Sequence, residues 1–174
     1  TSTVAYSNSS SATQAISAAP TYGNILISGT GAKTLGGGSI SVGGNWTNNS
    51  GGAISIAGST VTLNGSSAQT INGSTTTTFN NLSVSNTSGG VAIATNINVD
   101  GNLTVNTPTV FTPAAGVIIG GTGTLSGNGT VQGTRTAATA DFSSQYTISN
   151  KTLTNLTVDY AAAGQVRFAA DAVC

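Results

Sequence analysis

Two stretches of the chain, TYGNILISG at Thr21–Gly29 and TFNNLSVSN at Thr78–Asn86, follow one frame. Thr and an aromatic residue come first, then Asn, then apolar residues that alternate with small ones. The stretches lie 57 positions apart, and the same step carries SVGGNWT (Ser41–Thr47) onto NVDGNLT (Asn98–Thr104). An internal repeat of this length predicts that similar structural units are stacked in register.

The hydrophobic period within the repeated stretches is two. NILIS, TVTLN, LSVSN and NLTVN all alternate apolar with small polar residues, which is the pattern of half-buried strands. Gly and Asn separate these stretches and mark tight turns. No stretch has the 3.6-residue period of an amphipathic helix, so we expect an all-β protein.

Short strands, frequent turns and a long repeat favour a parallel β-helix, or β-solenoid, over other all-β folds. The repeat predicts about three coils of roughly 19 residues in each unit, and about nine coils in one domain. We expect repeat units at about 3–59 and 60–106, a variant insert at about 107–155, and the start of a further unit at 156–174. The alternative is an antiparallel β-sandwich or jelly roll, which also has short alternating strands.

Residues related by the repeat are expected to be stacked in the core. Tyr22 corresponds to Phe79, and Trp46 corresponds to Leu103. Asn24 and Asn81 are expected at equivalent turns, where an Asn side chain can hydrogen-bond to nearby backbone.

Charge is scarce in this sequence, and this excludes several classes of partner. Charged residues make up 5% of the 174 residues, four cations balance four Asp, and His is absent. Nucleic-acid binding requires a basic surface, so no nucleic-acid partner is expected. No apolar stretch is long enough to span a bilayer. A chain with 37% hydrophobic residues at regular spacing also argues against disorder.

The residue types needed for catalysis and for metal binding are also missing. Nucleophilic triads need a His-like base, and zinc sites need clusters of His and Cys, whereas the chain has no His and only Cys174. Of the four Asp, Asp141 and Asp159 could meet across coils, as the two carboxylates of a glycosidase do. With Arg135 and Lys151 nearby, ion pairs are a commoner outcome for such a group than a catalytic pair. We therefore expect no enzyme, no cofactor and no metal.

The repeat resembles known proteins in the stretches TYGNILISGTGAKTLGGGSISVGGNWT, TVTLNGSSAQTI and INVDGNLTV. These are similar to the repeat regions of very large secreted bacterial surface and adhesin-like proteins. The resemblance implies an extracellular, repetitive β-rich protein that serves surface attachment or assembly. It supplies no catalytic residues.

The ends of a coil stack are expected to be its reactive parts, because their backbone edges are unpaired. The candidate assembly residues are Thr3, Val4, Tyr6, Val158, Tyr160, Val166 and Phe168. The expected function is a segment of an adhesin stalk, or the protomer of a head-to-tail surface filament. The alternatives are a glycan- or ice-binding module, which ordered Thr ranks on one face would favour, and a trimeric phage or virus fibre segment. Because few groups titrate, stability is expected to depend weakly on pH between about 4 and 9.

Overall fold

The chain folds as a parallel β-solenoid. The computed structural model describes residues 1–55, 58–136 and 141–162, which contain 21 strands and one short helix. Every ladder between the described strands is parallel. The predicted solenoid is confirmed, and the antiparallel sandwich is excluded because its strands would pair in opposite directions.

The strands form three faces, which the chain visits in the order A, B, C in each coil. Face A contains β1 (Thr3–Tyr6), β4 (Asn24–Ile27), β7 (Trp46–Asn48), β10 (Gln69–Gly73), β13 (Val91–Ile93), β16 (Val110–Pro113), β19 (Thr130–Gly133) and β21 (Thr157–Tyr160). Face B contains β2 (Gln14–Ile16), β5 (Lys33–Leu35) and β8 (Ile54–Ser55), and then, as a separate sheet, β11 (Thr77–Phe79), β14 (Ile97–Val99) and β17 (Ile119–Gly120). Face C contains β3 (Thr21–Tyr22), β6 (Gly38–Val42), β9 (Ser59–Leu63), β12 (Asn81–Val84), β15 (Asn102–Val105), β18 (Thr124–Gly127) and β20 (Asn150–Lys151).

The number of coils is smaller than predicted. Six coils have all three strands, a seventh contains helix α1 (Asp141–Gln145) in place of a face-B strand, and β21 begins an eighth. The predicted nine coils were wrong because a coil is longer than 19 residues. Register partners on face A lie 21 residues apart at Thr3 and Asn24, and 27 apart at Thr130 and Thr157.

The core lies inside the coils and is built from aligned apolar side chains. Alternate residues of each strand point inward. The inward apolar residues of successive coils therefore lie directly above one another. One inward column on face C is fully buried along its length and contains Ile40, Val61, Leu82, Leu103 and Leu125. Stacked coils therefore bury apolar surface that a single coil would leave exposed.

The 57-residue step relates corners of the solenoid rather than positions in one column. Tyr22 lies on face C beside Val42, whereas Phe79 lies on face B beside Val99. The expectation that Tyr22 and Phe79 share a column is therefore wrong. The same expectation for Trp46 and Leu103 is also wrong, because they lie on face A and face C. The step spans eight strands, from β3 to β11, and three strands make a coil, so it advances two coils and two of three faces.

A shared turn geometry explains why the sequence motif around Asn24 recurs around Asn81. The Asn24 side-chain oxygen accepts a hydrogen bond from the Asn45 amide (2.7 Å), and that of Asn81 accepts one from the Asn102 amide (2.9 Å). Each Asn begins a strand directly after a turn. The prediction of equivalent turns for Asn24 and Asn81 is confirmed, although the two turns lie at different corners.

The cross-section of the solenoid changes between the third and fourth coils. Aligned core positions on faces A and C are 15 residues apart in the second coil, at Ile25 and Ile40, and 11 apart in the fourth, at Ile71 and Leu82. The path from face C to the next face A lengthens over the same region. The two changes offset each other, so faces A and C continue without a break. Face B is divided here into two sheets, the first ending at β8 and the second beginning at β11.

The seventh coil replaces a strand with a helix and two stacked rings. Phe142 and Tyr146 are fully buried, and their ring centroids are 4.6 Å apart. Tyr146 also makes a single bridge to Ile119 and so continues face B. This coil falls within the predicted variant insert at 107–155, which is part of the same stack.

Candidate functional site

Twelve short polar side chains cover the outward side of face C in two ranks that follow the solenoid axis. The first rank contains Thr21, Ser41, Thr62, Ser83, Thr104 and Ser126. The second contains Ser39, Thr60, Asn81, Asn102, Thr124 and Asn150. We call these twelve residues the hydroxyl face.

The hydroxyl face is more uniform than the outward side of face A. Each of its positions is a neutral side chain that both donates and accepts hydrogen bonds. On face A, the corresponding outward positions include Leu26, Ala92 and Asp159. The uniform chemistry therefore belongs to face C and does not follow from the low charge of the whole chain alone.

The spacing of the hydroxyl face is fixed in both directions. Adjacent coils lie about 4.8 Å apart, and alternate residues in a strand lie roughly 6.6 Å apart. Side chains along one corner add hydrogen bonds between coils, from the Asn64 amide to Ser41 Oγ (2.8 Å) and from the Asn106 amide to Ser85 Oγ (2.9 Å). The surface is thus a rigid, neutral array of hydrogen-bonding groups.

The two terminal strands of face A, β1 and β21, are the edges of its ladder among the described residues. Of the predicted assembly residues, Thr3, Val4 and Tyr6 lie in β1, where Val4 is 39% exposed. Val158 and Tyr160 lie in β21. Val166 and Phe168, like Cys174, lie outside the described residues.

The predicted core residues all lie inside the solenoid. Tyr22, Trp46, Phe79 and Leu103 are each at most 3% exposed. Trp46 and Phe79 meet where the cross-section changes, with ring centroids 5.2 Å apart. The Trp46 indole N–H donates to Thr77 Oγ1 (3.3 Å), which also accepts a hydrogen bond from the Asn48 amide (3.1 Å).

Sequence reasoning missed the polar residues that lie inside the stack. Lys33 is 1% exposed, and its ammonium group donates to the carbonyls of Asn8 (3.0 Å), Gly29 (3.1 Å) and Gly31 (2.7 Å). Gln69 is equally buried, and its side-chain oxygen accepts hydrogen bonds from the amides of Gly65 and Asn86. The alternation of apolar and polar residues does place both residues at inward positions of their strands. A charged or amide residue at such a position interrupts the apolar pattern, so the sequence did not indicate that it would be buried.

Three ionisable groups have shifted pKa values. Burial, followed by the hydrogen bond with Tyr6 (2.6 Å between the two hydroxyl oxygens), raises the pKa of Tyr22. Burial alone raises the pKa of Tyr146 and lowers the pKa of Lys151. All three shifts favour the neutral form, and none of these side chains lies on the hydroxyl face.

The structure separates the two carboxylates considered for catalysis. Asp141 is buried at the start of α1, whereas Asp159 is exposed on face A and accepts a hydrogen bond from the Gln132 amide (2.9 Å). No group of three or more His, Cys, Asp or Glu residues able to hold a metal ion occurs in the described part of the chain. No helix within 1–55, 58–136 or 141–162 is long and apolar enough to cross a membrane.

Comparisons of the chain with family models, with curated proteins and with solved structures gave no match.

Proposed function

We propose that this chain is a structural rod segment of an extracellular surface protein, either in an adhesin stalk or as the protomer of a head-to-tail filament. The observation that carries the proposal is the continuous parallel ladder of face A, whose terminal strands among the described residues are β1 and β21. An edge strand can pair with a further coil. That coil can come from an adjoining repeat of the same polypeptide or from a second copy, and such head-to-tail contacts propagate.

Resemblance and composition support the surface location. The repeats are similar to those of large secreted surface and adhesin-like proteins, and the core consists of stacked apolar side chains with few charged groups. The proposed role needs no catalytic residue, because a rod acts through its length and its attachment.

The outer edge of β1 allows a direct test of assembly. The carbonyls of Ser2 and Tyr6 accept hydrogen bonds from the amides of Asn24, the first residue of β4, and Ser28, which directly follows β4. Because backbone direction alternates along a strand, Ala5 directs its N–H and C=O to the open edge. Ala5→Pro should block pairing there while the ladder to β4 remains, and Ala5→Thr is the matched control.

The measurement is sedimentation velocity with negative-stain microscopy across a concentration series. We expect rods that lengthen with concentration for the wild type and for Ala5→Thr, and monomers for Ala5→Pro. A wild type that stays monomeric at high concentration would contradict the role of filament protomer. The role of stalk segment would then be the one that still stands. A closed trimer would instead favour the phage or virus fibre segment.

The hydroxyl face supports a second candidate function, recognition of a neutral repetitive surface such as a glycan or ice. Its two ranks present hydrogen-bonding groups at regular spacing without charge, which suits a partner that is itself neutral and periodic. The test combines a glycan array with a thermal-hysteresis assay. The double variant Thr62→Lys, Thr104→Lys should abolish either activity, whereas Thr47→Lys, Thr70→Lys on face A should retain it.

A further inference from the structure

The division of face B leaves an open cleft between β8 and β11. The cleft has a volume of about 200 Å³. Its lining residues are Asn48, Gly52, Ala53, Ile54, Thr75, Thr76 and Thr78. β8 pairs with β5, and β11 pairs with β14, but no ladder joins β8 to β11 among the described residues. Backbone groups on two strand edges therefore face the same space.

We infer that this cleft binds one unit of a neutral sugar. The inference goes beyond the proposed rod, since it concerns a site on the side of the solenoid that is present whether or not copies assemble. It also differs in place from the hydroxyl face, because the cleft lies on face B.

The size of the cleft restricts the occupant to a single ring. Sites for drug-sized ligands are typically about 300–1,000 Å³, and a water molecule takes roughly 30 Å³ of liquid volume. A ligand that fills a cleft of about 200 Å³ thus displaces only a few water molecules and is no larger than one compact ring. It is too small for the several residues of a peptide strand.

The chemistry of the lining selects neutral hydroxyl groups. Thr76 and Thr78 each carry a hydroxyl that can both donate and accept, as sugar hydroxyls do. The Thr75 hydroxyl, which donates its proton to the Ser50 carbonyl, can accept a hydrogen bond. Ala53 and Ile54 supply apolar contact for the C–H groups of a ring. No lining residue is charged, so the cleft offers no compensation for the desolvation of an ionic ligand.

The cleft is formed by the change of cross-section between the third and fourth coils. Thr75 is held at its edge by hydrogen bonds from its amide to the Asn48 carbonyl (3.1 Å) and from its hydroxyl to the Ser50 carbonyl (2.9 Å). Asn48 is fully buried and donates to Thr77 Oγ1 (3.1 Å). The walls are therefore preformed, and binding does not require the coils to move.

Trp46 provides a reporter for the test. It is the single Trp of the chain, and it shares the Thr77 hydroxyl with Asn48, which lines the cleft. The probes are glucose, galactose, mannose and N-acetylglucosamine, titrated separately against the whole chain while Trp46 emission and amide NMR shifts are followed. For a ligand of this size we expect a Kd on the order of 1 mM for at least one sugar.

Two variants with matched controls locate the site. Ala53→Phe should fill the cleft and abolish the response, whereas Ala15→Phe, on the exposed side of β2 on the same face, should leave the Kd unchanged. Thr78→Val should weaken binding by at least about fivefold through the lost hydrogen bond, whereas Thr34→Val on β5 should not. Far-ultraviolet circular dichroism verifies that each variant is folded.

Several outcomes would overturn the inference. These are no saturable response to any of the four sugars, a response retained in Ala53→Phe, or amide shifts confined to face C. Loss of head-to-tail assembly in Ala5→Pro leaves this inference untouched, and absence of sugar binding leaves the rod untouched.

Discussion

At the scale of single residues, Thr77 connects two buried donors. Its hydroxyl oxygen accepts from the Trp46 indole and from the Asn48 amide. Thr77→Val keeps the shape but leaves both donors without this acceptor, and a buried unsatisfied group costs about 1–3 kcal/mol. We expect a fall of this size in the free energy of unfolding, measured by urea denaturation. Thr104→Val, on the hydroxyl face, should change it by less than about 0.5 kcal/mol, and an equal loss in both variants would contradict this assignment.

Gly127 ends β18 in a backbone conformation that other residues avoid. Its φ is +132°, and an added Cβ would meet the backbone of Val105 in the preceding coil. Gly127→Ala should therefore lower the free energy of unfolding by about 1–3 kcal/mol. Gly116→Ala is the control, because a Cβ there meets nothing within 4 Å. Equal stability of the two variants would disprove the strain at Gly127.

At the scale of elements, β8 should be the least protected strand beside the cleft. The Lys33 amide donates to the Ala53 carbonyl (2.9 Å), so by alternation Ile54 directs its amide to the open side. We expect the Ile54 amide to exchange at least about tenfold faster than the Thr34 amide, which lies inside the β2–β5 ladder. Hydrogen exchange followed by NMR measures both. Equal protection would indicate that β8 is paired on both edges in solution.

At the scale of the whole molecule, the shifted pKa values determine the dependence of stability on pH. The folded-state pKa of Lys151 is lowered from 10.5, so between this lowered pKa and 10.5 the unfolded chain holds more protons, and stability rises with pH in that window. The pKa values of Tyr22 and Tyr146 are raised above 10.0. Above about pH 10 the unfolded tyrosines ionise first, and stability falls.

Stability should therefore change little near neutral pH and fall steeply above about pH 10. Each tyrosine contributes up to roughly 1.4 kcal/mol per pH unit to that fall. Urea midpoints measured from pH 7 to alkaline pH should show this limb, and Tyr146→Phe should reduce its slope by about half. An unchanged slope in Tyr146→Phe would contradict the buried neutral state of Tyr146.

The sequence predicted the solenoid but not its shape. Alternation identified the strands, and the repeat identified stacking, because both depend on local pattern. The predicted coil length was wrong because Gly and Asn mark turns but do not indicate how many residues each turn contains. The shared column for Tyr22 and Phe79 was wrong because one phrase can encode turns at two different corners, and only the register of neighbouring coils distinguishes them.

The candidate sites divide in the same way. Outward Thr, Ser and Asn residues can be recognised from alternation, but their alignment into two ranks depends on coils whose lengths differ by several residues. The cleft had no sequence signal, since it arises where one corner of the coil shortens while another lengthens.

By itself, the sequence determined that this chain forms parallel stacked strands with little charge, because a period of two and repeated turn residues are written into neighbouring positions. The tertiary structure alone decided which residues lie above one another, where face B divides and which polar groups are buried. Those features depend on the summed length of every coil, and no short stretch of sequence contains that sum.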